Sequence, residues 1–287
     1  MSNALNLYNE HFGLSERPFS LSPDPDFLYW TDEHKRAYTM LEYGVATRAP
    51  ITLITGEIGA GKTTLMQHLL NNLDDDLTVG LVANAHGDRG ELLRWVLMAL
   101  NQLTEPSANY VDLFTKFQEF LIAEYAAGRS VMLIFDEAQN MSRESLEELR
   151  MFTNINANKD ELLQLILIGQ PELRDIIRRP DMRQFAQRIA ASFHLTNMDE
   201  KTVYSYIVHR LERVGGREHM FSRKAAKLVY QETNGIPRLV NQLCDLCLLY
   251  ACIAKREIVG VEHVRSVLAD GAYFGPNANT AGDDSTI

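Results

Sequence analysis

Apolar and polar positions change their rhythm twice along the chain. Between residues 51 and about 195, short β-branched and apolar runs alternate with stretches in which apolar residues recur every three to four positions. The runs Ile51–Thr55, Leu77–Ala83, Ser130–Phe135, Leu163–Ile168 and Ala191–Leu195 predict strands, and 62–72, 88–103, 110–127 and 143–155 predict the helices between them. Strands separated by helices mean βαβ units and a parallel sheet covered on both faces. After Asn197 the pattern is helical throughout, at about 199–214, 222–233, 236–254 and 261–269, punctuated by Gly215-Gly216 and Gly235-Ile236-Pro237.

The first fifty residues fit neither rhythm. Phe12, Phe19, Phe27, Tyr29 and Trp30 are interleaved with Pro18, Pro23 and Pro25, and each proline restricts itself and its predecessor, so this is no long helix. It reads as an extended strap that lays its rings on a neighbouring body, followed by a helix from Thr31–Asp32 to about Arg48 with Ala37, Met40, Leu41 and Gly44 on one face. The expected organisation is a strap and helix at 1–50 packed on the core, an α/β domain at 51–197, a small helical domain at 198–270, and a loose tail at 271–287, where apolar content is low.

Composition narrows this picture without changing it. At 46% hydrophobic and 23% charged residues the chain is globular, and 287 residues suit about two domains. The longest uncharged run in the apolar C-terminal part, Leu246–Ala254, is nine residues, well short of the ~20 a spanning helix needs. The N-terminus lacks a basic-then-apolar signal pattern, which predicts a cytoplasmic protein. The net charge of −10 argues against coating nucleic acid with the whole surface, though a local basic patch is compatible with it. Cys244, Cys247 and Cys252 cannot form a disulfide framework. The C-x-x-C pair sits in a leucine-rich helical pattern, where small core residues are expected rather than a redox or metal site.

The strongest chemical signal is Gly56-Glu57-Ile58-Gly59-Ala60-Gly61-Lys62-Thr63, followed by Thr64, which fits G-x-x-x-x-G-K-[ST]. Chance supplies this pattern in on the order of one in a hundred chains of this length. Here it also has a strand before it and a helix after it. Glycines let the loop curl so that backbone N–H groups face phosphate oxygens; Lys62 would reach the β- and γ-phosphates and the Thr63 hydroxyl would hold Mg2+. The second signal is Val131–Phe135 ending in Asp136-Glu137. A buried parallel strand delivers both carboxylates to the ligand-binding edge of such a sheet, Asp136 for Mg2+ and Glu137 as general base for water. A dedicated water-activating carboxylate suits hydrolysis better than transfer to a small molecule.

Leu165–Gly169 ends in Gln170-Pro171, which would put an amide beside the γ-phosphate; a turn residue capping the next helix is the alternative. Arg174, Arg178, Arg179, Arg183 and Arg188 then cluster against only Asp175 and Asp181. A finger reaching a neighbouring subunit's nucleotide, a basic surface for a phosphate backbone and a solvated charged face all fit them. Arg188, just before the last strand, is the choice for the finger, with Arg183 five residues away as its rival. Arg238, in Asn234-Gly-Ile-Pro-Arg238, would point back from the helical domain onto the phosphates and make domain closure depend on ATP.

Taken together, these features resemble an AAA+ ATPase. More narrowly, His11–Tyr29, Thr55–Thr64, Phe135–Gln139, Gly169–Leu173, Gln187–Ile189 and Gly235–Asp245 resemble the ExeA (general secretion pathway protein A) family, over about residues 8–270. The resemblance implies an α/β/α P-loop domain with a parallel sheet in the order 5-1-4-3-2, followed by an all-helical lid. It implies ATP and Mg2+ as cofactors, with Lys62, Thr63 and Asp136 binding them, Glu137 as base, Gln170 as first sensor, Arg188 as finger in trans and Arg238 as second sensor. It also implies a homo-oligomer, with the strap at 11–30 lining the adenine pocket. Longer ExeA proteins continue through a membrane helix into a peptidoglycan-binding region. This sequence stops at Ile287, so it looks like the short soluble branch, without a direct peptidoglycan-binding region and acting on a membrane-embedded machine through a partner.

Three functions follow. The first is an ATPase switch or assembly factor for an envelope secretion, pilus or polysaccharide-export system, cytoplasmic or peripheral at the inner membrane through its partner. The second is a transposition-type ATPase of the TnsC or TniB kind, assembling on DNA. The third is a scaffold that barely hydrolyses, against which stand Glu137, Gln170, Arg188 and Arg238.

Overall fold

Three mostly apolar runs, buried on both faces of a strand, form the centre of a parallel sheet in the structure, which is a computed structural model. It describes residues 8–22, 24, 27–73, 76–83, 91–157 and 160–276. The strands are β1 Ile51–Gly56, β2 Leu77–Ala83, β3 Ser130–Asp136, β4 Leu163–Gly169 and β5 Ile189–Leu195. Their order is β2-β3-β4-β1-β5, every pairing parallel, which read from the other edge is 5-1-4-3-2. The central strands β1, β3 and β4 are buried almost end to end, whereas β2 and β5 alternate with exposed positions because they form the edges.

Contacts divide the molecule into two units. The first comprises Asp32–Glu57 and Leu65–Leu195; the second comprises the described parts of 1–31 and 196–287 together with Ile58–Thr64.

In the first unit, the helix Asp32–Ala46 lies against β1 and β5. Gly44 permits this approach, since a Cβ there would fall 2.1 Å from the Thr52 hydroxyl oxygen. The helix expected at 88–103 is observed at Glu91–Ala99; residues 88–90 lie outside the described residues. It stops early because Asn101 turns left-handed and the Gln102 N–H closes back onto the Leu97 carbonyl, a termination that satisfies an otherwise orphaned acceptor. The helix Tyr110–Ala126 opens on a reciprocal cap between Asn109 and Asp112. A two-residue-per-strand hairpin, Asn156–Ala157 against Asp160–Glu161, was not foreseen from the pattern.

In the second unit, the helices Glu200–Arg213, Arg223–Thr233, Pro237–Ile253 and Val261–Ala269 enclose their own hydrophobic cluster. Cys244 and Cys247 are fully buried within it, and burial raises both thiols' pKa values, which leaves them small packing residues. The strap belongs to this cluster: Tyr8, Phe12, Phe19 and Phe27 are buried among the helical residues. The buried Arg210 fixes it, donating from Nε to the Pro18 carbonyl at 2.6 Å and lying 4.7 Å above the Phe27 ring. Tyr8 and Arg17 both bond Asp245 on the Pro237–Ile253 helix. The expectation of one segment at 1–50 packed on the core is therefore corrected. The strap joins the helical unit and only the helix from Asp32 joins the α/β unit, because the partner for Pro18 and Phe27 is a guanidinium on a lid helix. Pro23 and Pro25 lie outside the described residues.

The tail also starts later than expected. Tyr273 is 2% exposed and part of the helical cluster, an anchor that one aromatic in a polar stretch does not advertise. Residues 277–287 lie outside the described residues. No helix among the described residues is long and apolar enough to cross a membrane.

The loop Asn234–Ile236 depends on backbone freedom. Asn234 and Gly235 are both left-handed, the Met198 N–H bonds the Gly235 carbonyl at 3.0 Å, and a Cβ on Gly235 would fall 1.9 Å from the Met198 carbonyl oxygen. Gly235→Ala is expected to cost about 2–3 kcal/mol, since backbone must shift in addition to the positive-φ strain. Chemical denaturation checks this, and an unchanged midpoint would contradict the contact.

Candidate nucleotide-binding site

Strand register brings one set of candidates together. Thr55 pairs with Gly169 and Phe135 with Leu167, so β1, β4 and β3 deliver Gly56, Gln170 and Asp136 to the same C-terminal edge. Gly56 is held close to β5, where a Cβ would lie 2.7 Å from the Leu195 carbonyl oxygen, and Thr55 Oγ1 and His194 Nδ1 share a hydrogen bond of 3.0 Å. These contacts fix the point from which the glycine loop departs.

Asp136 and Glu137 are half-buried at the end of β3. Glu137 is left-handed, φ 55° and ψ 37°, a conformation that costs a non-glycine residue about 1–3 kcal/mol and persists where the surroundings over-determine it. Those surroundings are visible. The Glu137 N–H donates to Asp136 Oδ1 at 2.9 Å, and Glu137 Oε2 accepts from Gln139 Nε2 at 2.6 Å and from Gln170 Nε2 at 3.1 Å. Gln139 Oε1 in turn accepts the Gln170 backbone N–H at 3.0 Å. Gly169 leaves room for this, since a Cβ there would lie 3.1 Å from Gln139 Oε1. Gln139 was missed as a site residue from sequence. Its signal is its place two residues after Glu137, in the middle of a 3-10 turn, Ala138–Asn140, that folds it back.

The loop itself has the expected geometry. Gly59 and Gly61 take φ of +79° and +99°, and the loop runs into the helix Lys62–Leu70 with Lys62 only 7% exposed and Thr63 and Thr64 half-buried. Ala60 is buried, while Glu57 and Ile58 are exposed. Within the second unit Arg238 meets this loop. Its backbone N–H donates to the Gly59 carbonyl at 3.3 Å, and a Cβ on Gly59 would fall 2.5 Å from the Arg238 Cβ. Pro237 at the first helical position sets Arg238 in the first turn of its helix.

The donor set suits ATP and Mg2+. A loop cradle that only glycine allows, a nearly buried lysine, a hydroxyl and a carboxylate are hard, anion- and Mg2+-seeking groups. Among the described residues no cluster of three or more His, Cys, Asp or Glu forms a metal cage. Mg2+ beside phosphates does not require one, since one or two protein oxygens serve alongside phosphate and water.

The arginines separate into two groups. Arg188 is committed within its own chain, bonding Asn154 and pairing with Glu161 at 3.9 Å. Burial raises the Glu161 pKa, and Arg188 opposes that rise. Arg143 pairs with Asp181 at 3.1 Å, and Arg183 lines a cleft with both. By contrast, Arg174, Arg178, Arg179 and Arg183 have no ion pair among the described residues, and all but Arg174 are exposed. The structure does not bring Arg188 to Glu137 or Gln170.

The five-strand parallel sheet with the phosphate loop after β1 and a helical C-terminal part defines a P-loop protein of the AAA+ class, and the AAA domain family matches residues 45–177. Among solved structures, Cdc6p of Pyrobaculum aerophilum matches with a TM-score of 0.68 at 14% identity, covering 88% of this chain and 70% of that one. Drosophila ORC bound to DNA matches with a TM-score of 0.62 at 18% identity, covering 94% of this chain and 66% of that one. General secretion pathway protein A of Aeromonas hydrophila is 37% identical over 245 residues, 85% of this chain and 45% of the relative. Over that shared region the chain belongs to the ExeA/GspA type of AAA+ ATPases. It spans a little less than half of that relative's length.

Proposed function

We propose that the protein hydrolyses ATP as an oligomeric switch or assembly factor for an envelope secretion, pilus or polysaccharide-export machine. The observation that carries hydrolysis is the carboxylate of Glu137, held by the Gln139 and Gln170 amides at the strand edge beside the start of the phosphate loop. Gly56–Thr64 and Lys62 bind and orient the phosphates, with Thr63 and Asp136 holding Mg2+, which when bound neutralises phosphate charge. Glu137 takes the proton of the attacking water at its carboxylate, and Gln170 reports the γ-phosphate. Arg238, already against Gly59, carries the state of the loop into its helix. Arg188 serves as finger in trans once it exchanges Glu161 and Asn154 for a neighbour's phosphate. Placement at the cytoplasmic side of the inner membrane through a partner is part of the proposal, supported by the likeness to a general secretion pathway protein.

Arg174, Arg178, Arg179 and Arg183, without ion pairs among the described residues, favour a second reading, an ATPase that assembles on DNA in the TnsC or TniB manner, and the likeness to an origin-recognition complex bound to DNA points the same way. One experiment divides the two readings. Glu137→Gln with saturating Mg–ATP is expected to sediment as an oligomer and to leave random-sequence duplex DNA unbound at low salt. ATP-dependent DNA binding that weakens steeply with salt would replace the envelope role with the second reading, and a monomer with ATP would remove the oligomeric switch.

A further inference from the structure

We propose that Gln139 is the positioning residue for the water-activating carboxylate, and that it ties the aim of Glu137 to the end of β4; the inference rests on Glu137 being the base. Gln139 uses both ends of its amide at once. Its Nε2 donates to Glu137 Oε2 at 2.6 Å, the shorter of the two amide contacts to that oxygen, and its Oε1 accepts the backbone N–H of Gln170 at 3.0 Å. A carboxylate whose backbone is left-handed has its side-chain direction displaced from the path of the strand, so lateral donors rather than the backbone decide where the oxygens point.

Two side-chain amides bond Oε2, and they are not equivalent. Gln170 Nε2 at 3.1 Å belongs to the side chain expected to engage phosphate, and when it turns away its bond to Glu137 is lost. Gln139 keeps its bond, because its other end is held by main chain rather than by the Gln170 side chain. Gln139 therefore aims the base throughout the cycle. A shift of β4 at Gly169–Gln170 moves Gln139 and so re-aims Glu137. The room for this arrangement is specific, since a Cβ at Gly169 would lie 3.1 Å from Gln139 Oε1 and 2.7 Å from Leu173 Cδ2.

The test is a double-mutant cycle on the full chain. Gln139→Met keeps length and packing and removes both hydrogen bonds. Gln139→Glu keeps the acceptor for the Gln170 N–H and sets a second carboxyl group against Glu137, so that the two must share a proton and the base is neutralised as well as freed. Each is expected to lower kcat for ATP about 10- to 100-fold with KM changed less than about twofold, since aim affects the transition state and not ATP binding. In the Glu137→Gln background, neither should slow single-turnover hydrolysis further by more than about twofold, because the carboxylate they aim is gone. Wild-type turnover in both Gln139 variants, or a loss that adds in full to that of Glu137→Gln, would overturn the positioning role while leaving the base in place. Wild-type turnover in Glu137→Gln alone would instead overturn the base reading, and this inference with it. A Gln139→Met protein that melts as the wild type yet turns over slowly separates aim from fold.

Discussion

Glu137→Gln is expected to bind ATP as tightly as the wild type and to hydrolyse it about 100- to 10,000-fold more slowly, accumulating an ATP-bound assembly. The substitution is nearly isosteric and keeps oxygen and nitrogen where the carboxylate oxygens were. It removes the one property a general base requires, the capacity to take a proton near neutral pH. Binding is spared because the proposed phosphate contacts belong to the glycine loop and Lys62, on a different segment of the chain from Glu137. The local hydrogen bonds survive, since the new amide can turn its oxygen to the Gln139 and Gln170 Nε2 donors. Single-turnover hydrolysis of labelled ATP, with nucleotide content measured after gel filtration, reads both halves of the expectation. Hydrolysis at the wild-type rate places the base elsewhere.

The strand edge was legible because its signals are local. Val131–Phe135 and Leu165–Ile168 are continuous apolar runs, and Ile51–Thr55 is broken only by threonines; only a sheet covered on both faces can hide such runs, and the residue that follows each is delivered to the ligand edge by register alone. The glycine loop was legible for the same reason, positive φ at Gly59 and Gly61 being a property of single positions. What sequence did not reveal is long-range. The rings of the strap announced a need for burial but not its address, which depends on Arg210 meeting Pro18 across 192 positions. Arg188 stands out in the sequence by its place before β5. That place does not reveal Glu161, which a four-residue ribbon without a compositional signature sets beside it. Gln139 lies between these cases. Its distance from Glu137 is two residues, yet its use appears only once the 3-10 turn has folded it back and β4 has brought the Gln170 N–H alongside.

Lys62→Ala is expected to abolish nucleotide binding at micromolar protein, a loss of at least about 3 kcal/mol or roughly 100-fold in Kd. Lys62 is the first residue of the helix Lys62–Leu70 and is 7% exposed, so its ammonium acts where little water screens it. A charge-assisted bond to phosphate in such a place is among the stronger polar contacts, and the helix N-terminus alone supplies only partial positive charge. Alanine favours the helix, so the loss falls on charge and not on local structure. The glycine backbone and the Arg238 contact to Gly59 remain, since that contact is made through the Arg238 backbone N–H and the Gly59 carbonyl. Calorimetric titration of ATP with Mg2+ into wild type and variant, with circular dichroism to confirm equal helix content, measures the difference. Equal affinity in the two proteins would remove the loop from nucleotide binding, and the Gly59 and Gly61 turn would then need another ligand to explain its shape.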